Sequence, residues 1–370
     1  MEKITANECY GCMLCVNQCP VQAICISYDE CGFPYPVIKA QQCVNCQKCV
    51  KTCIANSAPQ RCEEMQSAYS TSVKDASVLL KSASGGIAYA LSKTFIDNGG
   101  VVYGVAYTKD YRSAEYVRID TVDGLSRLQD TKYFHASADS KSSLYPRIAE
   151  DRKQKRQVLV TGLPCEIAAV KKLFDDEGVF LAELYCHGVT SEDVHKKYIC
   201  KISRQQGLKY FSVKNKSEGW KQNALIRAEA TDGSVHEEHF YSSSYGYAFA
   251  HLSRKSCYSC QFKGNGRVAD ISMGDNWAVV SSGKSYQKNG VSVIQIHTEK
   301  GNELFRQCLP LVDFSEISYE ASTTENKWVN RSIPLGDRDI YAKKFAVSTD
   351  IYLPAKLKIK GMIKSVLKKG

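Results

Sequence analysis

From Ile87 to Ile96 apolar residues recur at helical spacing, behind the small-residue run Ser82-Ala83-Ser84-Gly85-Gly86 and ahead of Asp97-Asn98-Gly99-Gly100. Small and polar residues at the start and glycine at the stop bound a helix over this stretch. The apolar run Val101 to Tyr107 that follows has the length of a buried strand. The alternation returns further on. Gln157 to Gly162 reads as a short buried strand, Leu163-Pro164-Cys165-Glu166 opens a helix from Ile167 to Phe174, and Phe180 to Tyr185 is a second strand ending at Cys186. Ala23 to Ser27 and Phe33 to Ile38 read as a hairpin around Asp29-Glu30-Cys31-Gly32. A second hairpin turns at Asp232-Gly233 and carries His236 and His239 on a solvated strand face. No stretch approaches 18 consecutive apolar residues, so no membrane span is expected. The start has no basic segment followed by an apolar run, so a cytoplasmic address is expected.

Cysteine usage changes the picture most. Of 17 cysteines, 11 fall in the first 62 residues. Cys9-x-x-Cys12-x-x-Cys15-x-x-x-Cys19-Pro20 is the bacterial ferredoxin run, and it repeats 34 residues later as Cys43-x-x-Cys46-x-x-Cys49-x-x-x-Cys53. Three cysteines three apart wrap a tight loop around one cube, and the fourth reaches the other cube. Cys9, Cys12, Cys15 and Cys53 are thus assigned to one 4Fe–4S cluster, and Cys43, Cys46, Cys49 and Cys19 to a second. Structural zinc sites use separated C-x-x-C pairs, not a close triplet plus one occurring twice. Cys25, Cys31 and Cys62 are left as spare thiols, and Cys200 and Cys308 are read as core.

Beyond residue 66 the cysteines thin out. Cys165 stands where a strand switches to a helix, a position at which the helix N-terminus favours the thiolate. Cys186 ends the next strand, and both then lie in the crevice where open α/β sheets place their sites. Cys257-Tyr258-Ser259-Cys260 adds a metal-type pair. These four cysteines could hold a third cluster or a zinc, and Cys186 could instead be a core thiol. The Ser/Gly-rich entry to the helix at Ile87 suits a phosphate, though an ordinary cap reads the same way. The expected fold class is α+β to α/β, a small ferredoxin-like module followed by a larger mixed α/β domain. Its expected division is 1–66, 67–340 and a basic tail, 341–370. The net charge of +10 is scattered, which sets aside nucleic acid as a partner. From Leu353 to Gly370 lysines alternate with apolar residues, either a solvated terminal helix or a basic amphipathic helix in peripheral contact with a membrane.

Several motifs recur together in order. They are Ser84-Gly85-Gly86, Lys132-Tyr133, Thr161-Gly162-Leu163-Pro164-Cys165-Glu166-Ile167-Ala168, Cys186-His187-Gly188-Val189, Cys257-x-x-Cys260, Ala269-Asp270-Ile271-x-x-Gly274-Asp275-x-Trp277 and Gly290-Val291-Ser292. Over about residues 1–330 the chain resembles the coenzyme F420 hydrogenase/dehydrogenase beta-subunit family with a two-cluster ferredoxin module fused in front. The resemblance implies a flavin, FAD, in the large domain, with Ser84, Gly85, Gly86, Lys132 and Tyr133 around it. It also implies an additional 4Fe–4S cluster, with Cys165, Cys186, Cys257 and Cys260 as candidate ligands. The implied activity is that of an iron–sulfur flavin-dependent oxidoreductase acting on a small-molecule or deazaflavin-type acceptor. Its electron donor would be a ferredoxin or a reductase or hydrogenase subunit. The alternative is a non-catalytic electron-transfer subunit feeding a partner enzyme.

Overall fold

The computed structural model describes residues 8–62, 64–203, 206–220, 224–279 and 288–351. The basic stretch from Leu353 to Gly370 lies outside the described residues. Two single-turn helices in contact with each other, α1 (Leu14–Asn17) and α2 (Lys48–Lys51), precede and follow along the chain the hairpin β1 (Ile24–Tyr28) and β2 (Pro34–Ile38). The Asp29 carboxylate closes this hairpin by accepting from the N–H groups of Cys31 and Phe33, the local side-chain turn that Asp supplies.

Next come β3 (Ser67–Val73), α3 (Ala76–Lys81), α4 (Ile87–Asp97), β4 (Val101–Tyr107), β5 (Ala114–Ile119) and α5 (Ala138–Lys153). They are followed by β6 (Val158–Gly162), α6 (Pro164–Leu173), β7 (Val179–Leu184) and α7 (Glu192–Ser203). A three-stranded antiparallel sheet is then built from β8 (Leu208–Asn215), β9 (Leu225–Ala230) and β10 (Val235–His239), and α8 (Ser244–His251) follows. The chain closes with β11 (Ile271–Asp275), β12 (Ser292–Ile296), α9 (Glu299–Cys308), β13 (Val312–Ile317), α10 (Tyr319–Thr323) and α11 (Arg338–Val347).

One eight-stranded mixed sheet organises the large part of the molecule, in the order β13-β3-β12-β11-β7-β6-β4-β5. Its centre, β4, β6, β7 and β11, is parallel, and the strands on both sides are antiparallel. The parallel strands are covered on both faces, which is why Val158-Leu159-Val160 and Phe180-Leu181-Ala182 are apolar without alternation. The architecture is the expected mixed α/β one. The helix at Ile87, the strands at Val101, Val158 and Val179 and both hairpins stand within a residue or two of their expected places.

The N-terminal cysteine-rich stretch shares its core with the rest. Tyr10, Leu14 and Ile54 sit in one apolar cluster with Val158, Val160, Ile167 and Ala168. Cys31 and Phe33 belong to another, with Tyr198, Phe211 and Phe240. Polar ties add to this: Tyr145 donates to the Cys12 carbonyl at 2.8 Å, and Arg254 donates to the carbonyls of Cys9 at 3.2 Å and Pro34 at 2.7 Å.

Candidate functional site

The repeated cysteine run folds the same way twice. Gly11 and Met13 take left-handed backbone, at φ 66° and 63°, in the first loop; Asn45 and Gln47 take it in the second, at 55° and 57°. Gly, and to a lesser degree Asn, tolerates this conformation. Alternating the backbone hand turns successive N–H groups toward one concavity, a shape suited to an anion. Each loop then enters its one-turn helix, so the third cysteine of each run is helical.

The fourth cysteines cross over. Cys15 feels the charges of Cys12, Cys9, Cys53 and Cys49, in that order, after burial, and its thiol is pushed well above the usual range. Burial likewise raises Cys12 to about 12, with Cys9 and Cys53 adding to the shift. Cys19 instead lines a small cavity of about 20 Å³ with Cys43, Cys46 and Cys49, and accepts the N–H of Ala23 at 3.2 Å. Cys53 thus stands near Cys12 and Cys15, with Cys49 also near Cys15, while one cavity gathers Cys19, Cys43, Cys46 and Cys49.

Cys165, Cys186, Cys257 and Cys260 line one cavity of about 30 Å³. Cys165 stands in the first turn of α6 and Cys186 two residues beyond β7, so both lie at the carboxyl end of parallel strands. The loop following α8 brings in Cys257 and Cys260, fastened by Cys260 N–H to Ser332 Oγ at 2.9 Å and Cys257 N–H to the Arg254 carbonyl at 2.9 Å. Lys263 holds the Cys186 carbonyl in place and also donates to that of Trp328. The Cys165 thiol is shifted in the direction opposite to that expected of a helix N-terminus. Burial raises it well above the ordinary value, and the charges of Glu166 and the three neighbouring cysteines push it further.

A cleft of about 290 Å³ opens beside this cavity, at the carboxyl ends of the parallel strands. Its wall includes Val105, Thr161, Leu184 and Met273, each in or near the last residues of β4, β6, β7 or β11. Ser84, Gly86, Lys132 and Tyr133, four of the five residues that the resemblance assigns to a flavin, line it. Gly85 lies behind the wall, where a Cβ would come within 2.4 Å of Ser292 N and Thr71 O. Lys132 Nζ donates to the carbonyls of Gln129 at 2.7 Å and Leu128 at 3.3 Å, and burial lowers its pKa to about 8.

Sequence reading missed the ion pair that faces them. Lys214 on β8 meets Asp275 at the end of β11 at 2.5 Å, and both line the cleft. Asp275 falls within the Ala269–Trp277 motif and could have been singled out; Lys214 carried no signal. Two further expectations need correction or placement. Cys308 is buried as expected, but Cys200 is exposed, because it falls on the outer side of α7. His236 and His239 pair with Glu238 at 3.1 Å and Glu218 at 3.5 Å and lie away from the cleft lining.

The cavity and the cleft share a wall at Cys186, Gly188 and Val189. On the cavity's other side, Tyr10 comes from the loop between Cys9 and Cys12, and its hydroxyl accepts the N–H of Gln261 at 3.1 Å. The three cysteine sets and the cleft are therefore contiguous.

Residues 155–317 match the family described as the C-terminal part of the beta subunit of coenzyme F420 hydrogenase/dehydrogenase. No curated protein matches the chain. Among solved structures, a chain of the F420-reducing NiFe hydrogenase complex from Methanosarcina barkeri, studied by xenon derivatization, is similar in fold. It has a TM-score of 0.52 at 18% identity, and the alignment covers 77% of this chain and 90% of that one. Residues 155–317, which supply the ends of β6, β7 and β11 together with Cys165, Cys186 and the Cys257–Cys260 pair, are thus similar to the C-terminal part of the coenzyme F420 hydrogenase/dehydrogenase beta subunit.

Proposed function

We propose that the chain is an iron–sulfur flavoprotein oxidoreductase that exchanges electrons with a small-molecule or deazaflavin-type acceptor. Two 4Fe–4S clusters would rest on Cys9, Cys12, Cys15 and Cys53 and on Cys43, Cys46, Cys49 and Cys19. A third would rest on Cys165, Cys186, Cys257 and Cys260, and FAD would lie in the cleft against Ser84, Gly86, Lys132 and Tyr133. The observation that carries this reading is contiguity: Tyr10 joins the first set to the third, and Cys186 joins the third to the cleft.

The donor sets fit these groups. In the third set burial raises the thiols of Cys165, Cys257 and Cys260, with neighbouring cysteine charges adding to it, so their thiolates need a cationic centre to stay ionised. In two of the sets the four cysteines line one cavity, the number of thiolates a 4Fe–4S cluster takes. At the third set, Arg254 Nε, Arg267 Nε and His135 Nε2 are buried without a hydrogen-bond partner, and their residues line that cavity. Donors of this kind suit the sulfurs of an anionic cluster. When bound, the clusters supply one-electron steps and the flavin supplies two-electron ones.

The chain's own contribution is positioning and exclusion. Lys216 fixes the Ser84 carbonyl at 2.7 Å and the Leu79 carbonyl at 2.6 Å, holding the small-residue run against the cleft. Lys214 and Asp275 form a fixed dipole on the opposite wall. The test is the iron and flavin content of anaerobically purified protein, with an absorption spectrum taken during reductive titration. About twelve irons and one flavin per chain, bleaching in coupled steps, support the reading. Iron without flavin reduces the chain to an electron carrier, and zinc without iron removes the redox role.

A further inference from the structure

The cysteine set Cys19, Cys43, Cys46 and Cys49 differs from the other two in its surroundings. It lies at the open end of the β1–β2 hairpin, where Ala23, Ile24 and Ile38 line its cavity, while the turn end carries Cys31 and Phe33 into the core. Cys46 is exposed, whereas each of the other eleven candidate cluster cysteines is at least partly covered. Two apolar side chains of the same cavity wall face solvent: Val21 is 43% exposed and Val44 60%.

Charge around this rim has one sign. From Cys31 to Cys62 the chain contains Lys39, Lys48, Lys51 and Arg61 and no aspartate or glutamate. Lys39, Lys48 and Lys51 are exposed, and none has an ion-pair partner among the described residues. Of the acids of the module that precede this stretch, Glu2 lies outside the described residues, Glu8 stands next to Cys9 of the first set, and Asp29 and Glu30 belong to the turn at the far end of the hairpin. Asp193 packs against that turn at Gly32, so it too lies at that end. An apolar centre beside an exposed cysteine, with Lys48 in its wall and Lys39 and Lys51 on the adjoining strand end and helix, is the form of a transient electron-transfer contact: small, with charge steering the encounter.

We propose that this face is where electrons enter, and that its partner is an acidic one-electron carrier protein presenting carboxylates around its own redox centre. The proposal rests on the cluster reading above, and it names the partner and the door. Each encounter oxidises the carrier by one electron and reduces the chain by one. Two encounters supply the pair that a hydride acceptor takes together with a proton from solvent. Opposite charge raises the association rate, and salt screens it.

The experiment follows the bleaching of the full, iron-loaded chain by stopped-flow absorbance, with either a reduced acidic two-cluster ferredoxin or reduced methyl viologen as donor. The expected result with ferredoxin is a second-order rate that falls steeply as salt rises. With Lys39→Glu and Lys51→Glu together, the rate should drop on the order of tenfold at low salt. Reduction by methyl viologen, a small cation that needs no docking face, should not be slowed by the double change. Equal rates for both chains with ferredoxin, indifferent to salt, overturn the proposal while leaving the cluster reading intact. No bleaching with either donor overturns the cluster reading itself. Should the double variant lose its iron, the salt dependence of the unaltered chain decides alone.

Discussion

Cys186 and Cys200 show how much a cysteine's neighbourhood decides. Cys186 lines both the small cavity and the cleft, and Cys200 lies exposed on α7. Cys186→Ser is expected to lower the iron content by about four atoms per chain, while Cys200→Ser leaves it unchanged; iron analysis of the two variants checks this. Arg254 is 1% exposed and donates to the carbonyls of Cys9 and Pro34. Arg254→Ala takes a donor from both and leaves the Cys9 carbonyl to Ser256 Oγ alone, at 3.1 Å, an expected loss of about 3 kcal/mol read from urea unfolding. His195 supplies a pH test away from the cysteines. It is fully buried and stacked on Phe134 at 4.0 Å, with its ring nitrogens on the Tyr111 carbonyl and the Tyr245 hydroxyl. Burial lowers its pKa from 6.5 to about 3. The unfolded chain takes up the proton first, so this contribution is complete above the unfolded value. It is lost as pH falls from there toward the folded one, at about 1.4 kcal/mol per pH unit. Between about pH 7.5 and about pH 5.5, the unaltered chain should therefore lose about 1 kcal/mol more than His195→Phe in parallel urea titrations. Equal losses would mean that His195 already accepts the proton in the folded state.

At the scale of elements, the cleft depends on how closely α4 is fastened to its neighbours. Gly86 caps α4 with a left-handed φ of 84°, and the Gly85 N–H donates to Ser292 Oγ at 2.9 Å. A methyl at Gly85 would meet the backbone of β12 and β3 at 2.4 Å, and backbone cannot yield as a flexible side chain does. Gly85→Ala is expected to cost about 3 kcal/mol of stability and to weaken flavin retention, measured as flavin remaining after gel filtration. These elements were legible in the sequence because each had its own signal. Small residues before Ile87 marked a helix start, and the apolar runs at Val101, Val158 and Phe180 had no alternation to suggest anything but a covered strand. The Cys165 environment was not legible. A helix N-terminus lowers a thiol's pKa, but the burial that reverses the sign comes from Tyr10, Phe262 and Val189, which lie far away in sequence. The Lys214–Asp275 pair is hidden for the same reason, since β8 and the end of β11 are joined only by the fold.

For the molecule as a whole, composition places a boundary near residue 66, and β3 starts at Ser67. Composition records where the cysteines stop; it does not record what their loops pack against. Tyr10, Leu14 and Ile54 share an apolar cluster with β6 and α6. The Cys62 and Arg267 backbones are also bridged, with hydrogen bonds of 2.7 and 3.1 Å. Two consequences follow from that shared core. A chain beginning at residue 67 would expose the cluster and leave Arg254 without its acceptors, so it should aggregate, where a separable domain would stay soluble. Iron binding should also stabilise more than the module, because ligands that bind only the folded state add their binding energy to everything folded with it. Stripping iron with a chelator should then lower the unfolding temperature of the large sheet along with that of the cysteine loops. Hydrogen exchange read separately in β6–β7 and in residues 9–53 distinguishes the outcomes. Loss of protection in both supports one cooperative body built around the cysteine sets, and loss confined to residues 9–53 would show that the shared core couples the two parts only weakly.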